Sequence, residues 1–186
     1  MLVIHPKDRT TKLLSLLYRD DETARVINTH RSSKEMSRLL SSTSLDERIM
    51  LLGHGDEKGL LYHKDDTKDA FDSVIVGHPH SYYLRQHRGN IIGIWRNADK
   101  FARREGLHGL FTNLIITDKW EAQEHGIITL QMYIDDVCYT MYSRLRKLLD
   151  DGAPLREIPQ LMKEMYNPKE EYHWLNQTNY ESFIYL

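Results

Sequence analysis

His54 stands between two glycines, Gly53 and Gly55, just past the apolar run 49–52. Buried strands of α/β proteins read as continuous apolar runs, and residues beyond their carboxyl ends line the ligand crevice. An imidazole with little steric cover at such a point is placed for proton transfer, because its ordinary pKa lies near neutrality. A second run, 90–95, ends in Arg96-Asn97. If the two runs are neighbouring strands, His54 and Arg96 face one crevice. A guanidinium there favours an anion: an acidic peptide, a protein surface or a small anionic ligand. Beside His54 it would also lower the proton affinity of the ring and keep it neutral near pH 7. Internal pairing of Arg96 with Asp99, Asp56 or Glu57 is the competing expectation.

Such residues need elements to position them. The run 2–4, closed by Pro6, reads as a first strand, 24–28 as a second and 48–52 as a third. Leucines at 13, 14, 16 and 17 predict a helix over 10–18, and Ser32-Ser33-Lys34-Glu35 is a capping-box pattern opening a helix through Leu40. This alternation predicts a parallel sheet with helices on both faces. Next come one arm of a small hairpin (59–62), a charged loop (65–72), a short strand (74–76) and a helix (81–86). A fourth strand (90–95), a helical turn (99–104) and a fifth strand (110–116) follow.

From 129 to 149, Leu130, Ile134, Val137, Met141, Leu145 and Leu148 keep a three-four spacing that predicts a long amphipathic helix. A second helix over 155–166 stops before Pro168, and an aromatic tail, 172–186, docks on the domain with a last strand at 182–186. The expected architecture is α/β: a three-layer α/β/α sandwich with a mostly parallel sheet and additional C-terminal helices. Residues 1–186 read as one domain, with the helical extension at about 129–167 packed on it. The apolar stripe of the long helix faces that sheet; a homodimer interface is its alternative use.

The order of elements and the two strand ends resemble the caspase-like fold of cysteine peptidases. Around the first of these ends, His54-Gly55, the acidic Asp56 and Glu57, Gly59 and Tyr62 resemble that family's histidine, turn and short hairpin. The resemblance covers roughly 1–118 in element order. It implies that His54 is the dyad-like histidine and that the family's nucleophilic cysteine, just past the fourth strand, is replaced here by Arg96. Gly55, Asp56, Asn97 and Thr112 would then lie along the binding crevice.

The replacement decides the chemistry. A dyad of this type needs a thiolate, and arginine is no nucleophile. The only thiol, Cys138, falls on the apolar face of the long helix, where a buried structural cysteine is expected. The resemblance therefore implies a non-catalytic binding or regulatory relative of cysteine peptidases. Two alternatives remain. One is an active cysteine-peptidase-type hydrolase whose nucleophile is altered in this chain or lies elsewhere in the alignment. The other is an anion- or nucleotide-sensing module.

Composition narrows the partners. The 186 residues are 40% hydrophobic and 28% charged with a formal charge of -2, so neither disorder nor bulk attraction to nucleic acid or anionic membrane is expected. No apolar stretch reaches the roughly 18–20 residues that span a bilayer, and the opening residues lack a signal-peptide pattern. A cytoplasmic location is the default expectation. One cysteine excludes an internal disulfide. His78-Pro79-His80, with Asp72 upstream and His87 downstream, is the tightest histidine pair, but it lacks the spacing of a metal motif. Neither metal nor cofactor is expected.

Overall fold

Short, mostly apolar runs make the strands. In chain order these are β1 (Leu2–Ile4), β2 (Arg25–Ile27), β3 (Ile49–Leu52), β4 (Gly55–Asp56), β5 (Gly59–Tyr62), β6 (Ser73–Gly77), β7 (Ile91–Ile94), β8 (Gly109–Thr112) and β9 (Phe183–Tyr185). The computed structural model describes residues 1–64, 71–169 and 172–186. Six strands form one sheet in the order β2-β1-β3-β7-β8-β9, parallel throughout except for β9. The other three, β4-β5-β6, form a small antiparallel sheet that leaves the main one at His54.

The helices are α1 (Ser33–Ser41), α2 (Ser81–Leu84), α3 (Ala98–Glu105), α4 (Lys119–Glu124), α5 (Gln131–Asp150), α6 (Ile158–Met165) and α7 (His173–Tyr180). Alternate strand residues point to opposite faces. Val3, Met50, Leu52, Ile92 and Ile94 accordingly meet α5, α6 and the 3-10 segment Lys12–Leu17. On the other face Leu2, Ile4, Ile49, Leu51 and Ile91 meet α1, α3 and the hairpin. These two apolar layers enclose the sheet as the expected three-layer sandwich, and α5 spends its stripe on the core. Burying each such side chain contributes roughly 1.5–3 kcal/mol, so the faces, more than local propensity, fix the elements.

Several local expectations hold. Ser32 and Glu35 exchange both capping-box hydrogen bonds at the start of α1. Others shift for visible reasons. Over 10–18 the chain forms a 3-10 segment that buries Leu14, Leu16 and Leu17. The fifth strand stops at Thr112, because the Asn179 side chain takes over Ile116, accepting from its N–H at 2.8 Å and donating to its carbonyl at 3.0 Å. Helices α4 and α7 were not expected. In the charged loop expected over 65–72, residues 65–70 lie outside the described residues. Among the described residues no helix is long and apolar enough to cross a membrane.

Candidate functional site

Parallel pairing brings the segments beyond β1, β3 and β7 to one edge of the sheet, with Ile4 opposite Leu51 and Leu52 opposite Ile94. After β1 the chain turns at Asp8-Arg9-Thr10: the Thr10 N–H and hydroxyl both donate to Asp8 Oδ1, at 2.8 and 2.6 Å. After β3, Gly53 adopts a positive φ of 142° and presents His54 to that turn. His54 Nε2 lies 2.6 Å from Thr10 Oγ1 and 3.6 Å from Asp8 Oδ1. Because the hydroxyl proton is committed to Asp8, His54 Nε2 carries its own proton and donates it to Thr10. From the end of β5, His63 Nε2 approaches the other Asp8 oxygen to 3.5 Å. Phe71 covers both imidazoles, its ring centroid 3.9 Å from that of His63 and 5.3 Å from that of His54.

The charges follow from this packing. Burial works against ionising Asp8, yet the neighbouring His54 ring and the Thr10 donors hold its carboxyl far below the usual range. Burial likewise disfavours the His54 cation, but the adjacent Asp8 carboxylate, with Glu121 and Asp118 beyond, raises its pKa above 6.5. Glu121 moves upward, through burial and the neighbouring Asp118 carboxylate. The site therefore holds one firmly ionised carboxylate, a histidine biased towards its charged form and a carboxyl that resists ionising.

A cleft of about 730 Å³ opens over these groups, between the turn after β1 and the starts of α4 and α5. Its size is typical of a ligand site. Arg9 and Lys12 line one wall, and Asp118, Glu121 and Asp135, with Lys119 among them, the other, with His54 and His63 between. Asp118 also caps α4, accepting from the N–H groups of Trp120 and Glu121 at 2.8 and 2.9 Å.

The expected crevice residues fare unequally. Arg96 does follow β7 and does share a small cavity with His54, but that cavity measures about 20 Å³, room for about one water. Its guanidinium turns outward to Glu124 on α4 at 3.0 Å, not to Asp99, Asp56 or Glu57. The expected depression of the His54 pKa by Arg96 is thus corrected: Asp8 governs the ring and raises it. Thr112 is fully buried, and its hydroxyl donates to the Trp95 carbonyl and accepts from the Trp95 N–H, so no ligand reaches it. Gly55 is required by packing: a Cβ there would lie 2.2 Å from the Trp95 ring and 2.6 Å from the Gly59 carbonyl. Asp56 builds the hairpin turn, its side chain accepting from the Lys58 N–H at 2.7 Å and its carbonyl from Trp95 Nε1 at 3.0 Å. Asn97 takes a left-handed conformation, φ 69°, at the entry to α3, one that asparagine tolerates.

Other candidates are accounted for by structure. Cys138 is buried, donates to the Ile116 carbonyl, and has its thiol pKa pushed far up by that burial. His78 pairs with Glu105 at 2.8 Å, while His80 accepts from the Gly77 N–H at 3.1 Å and faces Ser33. The two rings thus serve different partners. Asp8, Thr10 and His63 were not singled out from sequence, although β1 as a parallel neighbour of β3 would have pointed to the turn after it.

Comparison of the chain with protein-family models, curated proteins and solved structures gave no match.

Proposed function

We propose that this chain is a non-catalytic, caspase-like α/β module that binds a polypeptide ligand in the cleft beside His54. One observation carries the proposal: the strand ends bearing His54 and Arg96 are adjacent, which is what the caspase-like reading, with Arg96 in place of the nucleophile, requires. The sheet order supports the same reading, as does the burial of Cys138 in the core. An anionic group on the ligand finds its partners at Arg9 and Lys12, since Arg96 is engaged by Glu124.

The close contact of Thr10 with His54 raises the alternative of a hydrolase with a hydroxyl nucleophile. The geometry argues against that role. A nucleophile–base pair needs the base oriented by a third group on its far nitrogen, whereas Asp8 sits on the same side of His54 as Thr10. The test is covalent labelling by peptidyl electrophiles, read by intact mass. The Arg96→Cys variant should gain one adduct, lost when His54→Ala is added, while the native chain gains none. A folded Arg96→Cys that stays unlabelled would sink the caspase-like alignment. Turnover of peptide substrates by the native chain would sink the non-catalytic half.

A further inference from the structure

One wall of the cleft is cationic and the other mostly acidic, and the described residues leave these charges unpaired. Arg9 and Lys12 extend from the turn after β1, and among the described residues neither forms an ion pair. Asp118 and Asp135 face them from the starts of α4 and α5, and Lys119 beside Asp118 holds its ammonium over the Trp120 ring, 5.1 Å from the centroid. The hydrogen bonds of the two carboxylates come from backbone N–H groups and from the Gln131 side chain at 2.9 Å, with no cation of the described residues in ion-pair reach. Surface cations and carboxylates commonly meet within 4 Å, as Arg146 and Asp150 do at 2.6 Å on α5. Here an open space of about 730 Å³ keeps the two sets apart.

The imidazole of His63 adds a polar group to the same lining. His63, with only 7% of its side chain exposed, lines the cleft, and its buried Nδ1 has no partner among the described residues. Buried polar atoms are nearly always satisfied. A ligand that brought one sign of charge would leave one wall facing bare carboxylates or bare cations across a partly desolvated gap. A ligand bearing both signs satisfies both walls, and its backbone amides supply further donors and acceptors.

We infer that the cleft takes a polypeptide segment carrying one acidic and one basic side chain, the acidic one against Arg9 and Lys12 and the basic one against Asp118 and Asp135. This rests on the binding reading above and deepens it by naming the charge pattern of the ligand. Glu121 lies on the same wall as Asp118 and Asp135 but is tied back to the Thr117 N–H at 2.9 Å, which leaves the other two as the carboxylates facing the cleft.

The experiment is a fluorescence-polarisation titration of the full chain with fluorescein-labelled peptides. Three contain Asp and Lys separated by one, two or three glycines; an Asp-only and a Lys-only peptide of matched length serve as references. At least one mixed peptide should bind about five- to tenfold more tightly than both references, as expected for partly screened charge contacts. Lys12→Glu and Asp135→Lys, both at exposed positions and checked by circular dichroism, should each remove that advantage. Equal binding of the Asp-only peptide, unaffected by Asp135→Lys, would overturn the mixed-charge assignment and leave an anion site. Failure of all three mixed peptides to bind would overturn it as well. Neither result touches the labelling of Arg96→Cys, so the two proposals fail separately.

Discussion

Asp8-Arg9-Thr10 and Asp21-Glu22-Thr23 fold into the same turn. In each, the threonine N–H and hydroxyl donate to the first aspartate oxygen at 2.8 and 2.6 Å. In each the carboxyl is held below its usual pKa, by His54 and Thr10 at Asp8 and by Thr23 at Asp21, against opposing burial that is strong only at Asp8. The surroundings separate them. The second turn lies on the surface ahead of β2, where the N-terminus and Arg146 act on Asp21 only through their charge. The first follows β1 in the middle of the sheet, where β3 delivers His54 and the hairpin delivers His63 to its two oxygens. A common local motif thus becomes a candidate site only through its neighbours. The close Thr10 contacts are, for the same reason, no sign of a nucleophile.

The comparison breaks most severely if the support beneath His54 is removed. Gly55→Ala drives a Cβ into Trp95 and the Gly59 carbonyl and should cost about 3 kcal/mol in urea unfolding; a cost near zero would mean that the hairpin does not fix His54. Next, Asp8→Asn takes a charged acceptor from two histidines and should cost about 2 kcal/mol, against about 0.5 kcal/mol or less for Asp21→Asn at the exposed turn. Equal costs would erase the distinction. Thr10→Val against Thr23→Val sharpens it further, with about 1 kcal/mol expected for the first and under about 0.5 for the second.

The smallest effect is in pH dependence. Depressed carboxyls contribute stability that is present above the unfolded value of 3.8 and lost as pH falls through the folded one, so both turns weaken in acid. Only the first turn carries His54. Its raised pKa contributes stability that is full below 6.5 and lost as pH rises through the folded value. His5 and His80, whose buried rings have lowered pKa values, gain stability over the same range, so the His54 contribution is read as a difference. From pH 6 to pH 8.5 the thermal-unfolding advantage of the native chain over Asp8→Asn should shrink slightly, while its advantage over Asp21→Asn stays level.

Much of this scaffold is legible in the sequence because its signals are local. The apolar runs of β1, β3 and β7, the Ser32–Glu35 capping box and the long stripe of α5 each sit within a few residues of one another. The site is legible only in part. His54 announces itself between glycines, but Asp8 and His63 join it through strand pairing, which no local window contains. The partner of Arg96 is missed because Glu124 belongs to α4, a six-residue helix whose one buried residue is Ala122. Thr112 misleads in the opposite direction. A hydroxyl at a strand end reads as available until β7 and β8 pair and Trp95 consumes it.

The most direct measurement is an NMR titration of the His54 imidazole in the native chain, in Asp8→Asn and in Arg96→Ala. The midpoint is expected above 6.5 in the native chain and in Arg96→Ala, and to fall in Asp8→Asn. A native midpoint at or below 6.5 that rises when Arg96 is removed would contradict Asp8 as the group that organises this site.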